Sequence, residues 1–197
     1  MSDPAVSADE EVVHAVRRAL AKHGYARLTT KNVAAESDKS EAGLYYHYDS
    51  KDEMVAAFLA WSTGWLAAEL DDLDATDPES RLREACDRLF VTTDDEERRG
   101  VNVAVMELLS HAPHNETLRE PLVELERHVV DTLTDIVTDG VEQGVFRDVD
   151  PRATAAFLVA ATDGSTGFYL ALGLDEFEPL LRDGLSAYID SLLVDDA

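Results

Sequence analysis

At 197 residues the chain is long enough to bury a sizeable core, in one domain or in a small domain joined to a larger one. Hydrophobic residues make up 45% of it, and six prolines and ten glycines are too few for a repeat or low-complexity protein, so a folded enzyme, sensor or adaptor is expected. A net charge of −24 argues against a nucleic-acid partner at first sight, because phosphates repel an acidic surface.

The elements read as helix nearly throughout. Val12, Val13, Val16, Ala19 and Leu20 recur at helical spacing, Ser7 with Glu10 makes a capping box, and Gly24 supplies a stop, which predicts a first helix over about 9–23. Thr29 or Thr30 caps a short second helix that buries Val33 and Ala34, and the polar turn Ser37-Asp38-Lys39 ends it. A third short helix follows over about 40–47. Ser50 with Glu53 is a second capping pair, and Met54, Phe58, Trp61 and Trp65 then step at four, three and four residues along one face of a long fourth helix. The acidic stretch 71–78 breaks it. Helical patterns resume over about 79–92, 98–112, 116–143, 151–172 and 176–193, and strand-like alternation is nowhere sustained, so the fold class is all-α.

Two faces near the end of the chain suit a dimer. Ala153, Ala156, Phe157, Ala160, Ala161, Gly164, Gly167, Phe168 and Ala171 form a face of mostly small residues, and Leu180, Leu181, Leu185, Tyr188, Ile189 and Leu192 form an apolar one. Two such helices facing their symmetry mates would make a four-helix seam, although the same faces could simply complete the monomer core.

The charge is unevenly placed. Residues 1–51 carry seven Lys and Arg against eight Asp and Glu, a net of −1, whereas residues 52–197 carry a net of −23. All four lysines, Lys22, Lys31, Lys39 and Lys51, lie in that first stretch. So acidic and lysine-poor a surface is expected of a halophilic cytoplasm, where salt screens self-repulsion. No apolar run reaches the ~20 residues that span a bilayer, and the start of the sequence lacks the basic and apolar segments of a signal peptide, so a cytoplasmic protein is expected. Cys86 is the single cysteine and reads as a buried structural thiol.

The segment 28–54, LTTKNVAAESDKSEAGLYYHYDSKDEM, is where the chain becomes specific. Two short helices joined by a three- or four-residue turn have the dimensions of a helix-turn-helix over about 29–48, whose second helix lies in the major groove. Leu44 and Tyr48 should pack against Val33 and Val16, leaving Glu41, Ala42, Gly43, Tyr46 and His47 outward. The residues Gly24-Tyr25, Thr29-Thr30 and Leu44-Tyr45-Tyr46-His47-Tyr48-Asp49-Ser50-Lys51 resemble the pattern of the TetR family of regulators, and with the acidic composition suggest a haloarchaeal-like member. The run 142–147 followed by Asp150-Pro151 looks like the turn before that family's penultimate, dimer-forming helix.

The resemblance implies a helix-turn-helix DNA-binding domain over 1–51 and a helical ligand-binding and dimerisation domain over 52–197. It puts Thr30, Tyr45, His47 and Lys51 on phosphates and Lys31, Glu41, Ala42, Gly43 and Tyr46 at or near bases, with Thr29, Lys39 and Ser40 in the same interface. The chemistry suits: hydroxyls, an imidazole N–H and an ammonium donate to phosphate, lysine donates to guanine, and an aromatic edge meets a thymine methyl. There are departures. Asp38 stands where the family has a turn glycine, and is expected to take up the left-handed conformation in its place; Lys39 replaces an apolar residue and Gly43 a small hydroxyl. The partners implied are a double-stranded DNA operator, a second copy of the chain and a small-molecule ligand that releases a repressor from a palindromic site.

Other chemistry is thin. His111 and His114 flank Pro113, with Glu107, Glu116 and His128 as further candidates, a poor metal set. No cofactor motif, phosphate loop or catalytic constellation stands out, so no catalytic residue is assigned. Trp61, Trp65, Phe90, Met106, Leu109, Phe157 and Tyr169 are the candidates to line a ligand pocket, each equally readable as core. Two rivals stay open: a helical adaptor of the same fold without DNA binding, which Glu41 and the net charge favour and the clustered lysines oppose, and a small helical enzyme, which the missing catalytic groups oppose.

Overall fold

The computed structural model describes residues 8–90, 96–165, 169, 172–174 and 176–194. Among them run the helices α1 (Ala8–His23), α2 (Thr30–Ala35), α3 (Glu41–Tyr45), α4 (Lys51–Asp71), α5 (Pro78–Leu89), α6 (Glu96–His111), α7 (Glu116–Glu142), α8 (Pro151–Ser165) and α9 (Phe177–Leu192), with a 3₁₀ turn Ala112–His114 before α7. The one β feature among the described residues is an isolated bridge between Phe146 and Leu193. The chain packs as two compact units, the first from Met1–Thr63 and Thr92–Leu125, the second from Gly64–Val91 and Glu126–Ala197.

In the first unit the periodicity of α1 is cashed in full: Val12, Val13, Val16, Ala19 and Leu20 are all buried. Gly24 ends the helix at φ 66, its N–H donating to the Leu20 carbonyl at 2.9 Å, a left-handed stop that a side chain would strain. Ser7, half of the expected capping box, lies outside the described residues. Leu28, Val33, Leu44, Met54, Val55, Phe58 and Leu59 join the α1 residues in one core, completed from the later segment by Ala104, Leu108, Leu118 and Leu122. α6 crosses α1 closely, because Gly100 has no side chain: a Cβ there would sit 2.4 Å from the Ala21 carbonyl oxygen.

The second unit buries Leu70, Leu82, Cys86, Phe90, Leu133, Ile136, Phe146, Leu158, Leu185 and Ile189. Phe146 lies on Gly140, where a Cβ would come within 2.0 Å of its ring, and Gly144 at φ 71 turns the chain after α7. The Arg147 N–H then donates to Leu192 O at 2.8 Å, and Val194 N–H to Val145 O at 3.1 Å, stapling that turn to the end of α9. Burial pushes the Cys86 thiol up to about 12, so it is inert packing rather than a reactive thiolate.

The two faces near the end of the chain divide their residues. On α8, Ala153, Ala156, Phe157 and Ala160 point to solvent while Ala155, Leu158 and Val159 enter the core. On α9, Leu185, Ile189 and Leu192 are buried and Leu180 is 63% exposed. Gly167, Phe168 and Ala171 of the small-residue face lie outside the described residues.

Candidate DNA-binding surface

The surface is built by three short-range devices. Thr29 caps α2: its hydroxyl oxygen accepts from the Asn32 N–H at 3.2 Å, and the Asn32 side chain accepts from the Thr29 N–H at 3.0 Å. This reciprocal pair settles the choice between Thr29 and Thr30 as the cap. Ser40 caps α3, its Oγ accepting from the Gly43 N–H at 3.2 Å. Ser50 caps α4 by accepting from the Glu53 N–H, and the Glu53 carboxylate takes the Asp49 N–H rather than that of Ser50.

The turn between α2 and α3 is made differently from the expectation. No non-glycine among the described residues has positive φ, so Asp38 does not adopt the left-handed conformation. Hydrogen bonds hold the turn instead. The Ser37 hydroxyl accepts from the Lys39 N–H at 3.1 Å, and the Asp38 N–H donates to the Glu11 carboxylate of α1 at 2.8 Å. With both amides satisfied from outside, a left-handed residue is not required.

Leu44 is fully buried beneath α3, and Tyr48 packs half-buried on the same core with Val16 and Val33. The opposite face is open: Glu41, Ala42 and His47 are exposed, Gly43 is half-buried, and Tyr46 is 85% exposed with its ring edge-on to His47 at 5.1 Å. Tyr45 is 53% exposed, and its phenol oxygen accepts from the buried Thr30 hydroxyl at 3.0 Å, leaving the phenol proton to donate elsewhere.

Four lysines lie in three kinds of surroundings. Lys22 pairs with Glu36 at 2.7 Å, with Arg18 donating to the Glu36 carbonyl, and Lys39 lies 3.7 Å from Glu11. Lys31 is exposed and has no carboxylate partner among the described residues. Lys51 has none either; its ammonium lies 4.3 Å from the centre of the Tyr25 ring and reaches the Tyr25 and Leu28 carbonyls at 3.4 and 3.5 Å.

A polar network beneath Lys51 went unread in the sequence. The Tyr25 hydroxyl donates to Asp52 Oδ1 at 2.9 Å, and Asn115 Nδ2 donates to Asp52 Oδ2 at 2.8 Å. Burial and the Asp52 carboxylate together raise the Tyr25 phenol to about 12. His111 meets the same ring edge-on at 5.0 Å, and the Glu107 carboxylate accepts from the Ala26 N–H at 2.9 Å. Only the Gly-aromatic pair hinted at this, since the Asp52 to Asn115 bond joins residues 63 apart in sequence.

The candidate pocket residues fall in both units. Trp61 packs half-buried in the first, edge-on to His14 at 5.1 Å, where Met106 is half-buried and Leu109 is 39% exposed. Trp65, Phe90, Phe157 and Tyr169 belong to the second. Phe90 is buried under the Arg182 guanidinium, Phe157 stands half-exposed against Tyr188 at 4.5 Å, Trp65 is 44% exposed and Tyr169 is buried. The same unit brings two carboxyls near each other, Glu126 on α7 and Asp163 on α8: burial, then the neighbouring charge, raises Glu126 to about 7, and Asp163 is raised too, by burial. No helix is long and apolar enough to cross a membrane among the described residues.

Residues 12–58 match the tetR family of bacterial regulatory proteins, and residues 78–194 match the C-terminal domain of BetI-type transcriptional repressors. No curated protein matches the chain. Among solved structures, a TetR transcription regulator from Haloarcula marismortui is 33% identical, with 94% of this chain and 98% of that one covered at a TM-score of 0.85. A Saccharomonospora viridis structure in complex with choline is 22% identical, with 96% and 98% covered at 0.80, and a Rhodococcus transcriptional regulator is 21% identical, with 94% and 96% covered at 0.79. Two family matches in the right order, over a helix-turn-helix whose outer face is open and whose inner face is core, place this chain in the TetR family of DNA-binding transcriptional regulators.

Proposed function

We propose that the chain is a repressor that works as a homodimer in the cytoplasm and leaves its operator when a small molecule binds. Residues 1–51 serve as the DNA-binding domain and 52–197 as the ligand-binding and dimerisation domain. Two copies of α3 enter successive major grooves of a near-palindromic site, about 34–36 Å apart. The observation that carries this is the open face of α3, with Tyr46 85% exposed, together with Lys31 of α2, which has no carboxylate partner among the described residues, in a chain of net charge −24. With the small residues Ala42 and Gly43 on the same short helix, the Tyr46 ring edge is open to meet a thymine methyl in the groove.

On this reading the Thr30–Tyr45 hydroxyl pair, His47 and Lys51 hold phosphates, Lys31, Glu41, Ala42, Gly43 and Tyr46 meet bases, and Thr29, Lys39 and Ser40 frame the interface. Glu41 favours a cytosine amine. The exposed Ala153, Ala156, Phe157 and Ala160 of α8, with Leu180 of α9, form the seam to the second copy. The ligand binds in the larger domain and carries positive charge: the BetI-type match and the choline found in one similar structure support this, with the neighbouring carboxyls of Glu126 and Asp163 as the groups to meet a cation. Release requires the ligand to favour the DNA-incompetent state by about 1–3 kcal/mol or more, with α4 carrying the change.

Selection of bound sequences from a random duplex pool at molar salt tests the proposal. A recovered palindrome, relaxed in sequence by Tyr46→Ala, supports it. No enrichment sinks it in favour of an adaptor of the same fold.

A further inference from the structure

Lys51 has no carboxylate partner among the described residues, yet its ammonium is not left to solvent alone. It rests over the face of a buried tyrosine, 4.3 Å from the ring centre, with two backbone carbonyls at the edge of hydrogen-bond range. A lysine otherwise keeps rotamer freedom along four methylenes, and a ring face with two carbonyls restricts it to a narrow arc. The ring itself is fixed. Tyr25 is 5% exposed, its hydroxyl is tied to Asp52, Asp52 is tied to Asn115, and His111 closes the other edge. Asp52 is the residue next to Lys51, yet its carboxylate is spent on Tyr25 and Asn115 and does not pair with the ammonium. The cation is thus oriented without being neutralised.

We propose that Tyr25 is the positioning residue for Lys51, its ring, held by burial in the core, and its backbone carbonyl keeping the ammonium where it meets a DNA phosphate. This rests on the DNA-binding reading of Lys51 above. Two long-range acceptors, the carbonyls at 3.4 and 3.5 Å, are readily exchanged for a phosphate oxygen, whereas a carboxylate partner would compete with it.

The test uses the full-length protein, the duplex recovered by selection, and the variants Tyr25→Leu, Tyr25→Phe, Lys51→Ala and Tyr25→Leu/Lys51→Ala. In the free protein, the ε-methylene protons of Lys51 are expected upfield of those of the other three lysines through the ring current, and to lose that shift in Tyr25→Leu but not in Tyr25→Phe. On DNA, Lys51→Ala should lower the slope of log affinity against log salt by about one for each subunit. Tyr25→Leu should lower the slope likewise, Tyr25→Phe should restore it, and the double variant should be no weaker than Lys51→Ala alone. A tyrosine serving only the core would weaken binding by the same factor with or without Lys51 and leave the slope unchanged, which overturns the proposal. If Tyr25→Leu does not fold, an unshifted Lys51 in the wild type, or a loss of slope in Tyr25→Phe, overturns it on its own. Failure of the wild type to bind any selected duplex removes the DNA-binding reading, and the positioning role with it, even where the ring-current shift is present.

Discussion

Gly100 sits in the middle of α6, where glycine costs about 1 kcal/mol of helix propensity relative to alanine, so a substitution judged on the helix alone should stabilise. The packing says the reverse. A Cβ at Gly100 would lie 2.4 Å from the Ala21 carbonyl oxygen, 2.9 Å from its Cα and 3.0 Å from its carbonyl carbon, all backbone atoms of α1 that no rotamer change can move. Relief requires α1 and α6 to part by most of an ångström along a seam that also buries Ala15, Ala19 and Ala104. Overpacking of this kind costs about 1–3 kcal/mol, and subtracting the propensity gain leaves Gly100→Ala less stable by up to about 2 kcal/mol. Gly64 is the control: it lies exposed within α4 with nothing within 4 Å of its would-be Cβ, so Gly64→Ala keeps the gain. Thermal melts followed by circular dichroism at molar KCl and one protein concentration should place Gly100→Ala below the wild type and Gly64→Ala above it, by about 2–4 °C for each kcal/mol. A Gly100→Ala melting point at or above that of the wild type would refute the close crossing.

Gly164 has open space around its would-be Cβ, so Gly164→Leu should leave the monomer fold intact yet, like Ala160→Leu, release monomer in sedimentation; a wild type already monomeric at micromolar concentration removes the seam. The net charge of −23 on residues 52–197 repels itself over a Debye length of about 10 Å at 0.1 M salt, so the melting point should climb steeply from dilute buffer to molar KCl, and a flat response refutes the halophilic reading. Glu126 binds its proton more tightly folded, near 7, than unfolded, near 4.5, so its contribution is fully present below about 4.5 and is lost as pH rises through 7. Glu126→Gln should therefore melt higher than the wild type above pH 7 with the gap closing toward pH 4.5, and a gap independent of pH would show that the pair does not titrate.

What was legible in the sequence was local. Gly24, Thr29 or Thr30, and Ser50 announce helix ends because such residues act on a backbone amide or carbonyl within four residues, and the alternation of Val16, Val33 and Leu44 against Tyr46 and His47 places α3 correctly. Long-range polar bonds were not legible. Nothing near Glu36 says that it will bind Lys22, nothing near Asp52 says Asn115, and Gly100 reads as a weak point in a helix until the backbone of α1 lies across it. The apolar faces of α8 and α9 were visible as stripes, but a stripe destined for the monomer core and one destined for a partner have the same composition. Solvent exposure separates Leu185 and Ile189 from Leu180 and Phe157; periodicity could not.

The same accounting bears on how the protein holds DNA. Counted from the sequence, residues 1–51 offer four lysines, but Lys22 and Lys39 are already matched by Glu36 and Glu11, which leaves Lys31 and Lys51. Two uncommitted lysines per subunit give about four phosphate neutralisations in a dimer, and at about −0.9 per phosphate the slope of log affinity against log salt should be near −4. Strongly basic repressors reach about −10 and lose most of their affinity at high salt. On the proposed reading a shallow slope would let binding survive at high salt and would shift the remaining affinity onto contacts that salt does not screen, chiefly those proposed for Tyr46, Ala42 and the hydroxyl pair of Thr30 and Tyr45. Affinity measured for the selected duplex across a salt series checks the number directly. A slope near −10 needs about eleven neutralised phosphates, which would require the arginines and lysines now paired with Glu97, Glu36 and Glu11 to let go of their partners on DNA, so that the free chain's ion pairs would not describe the bound state.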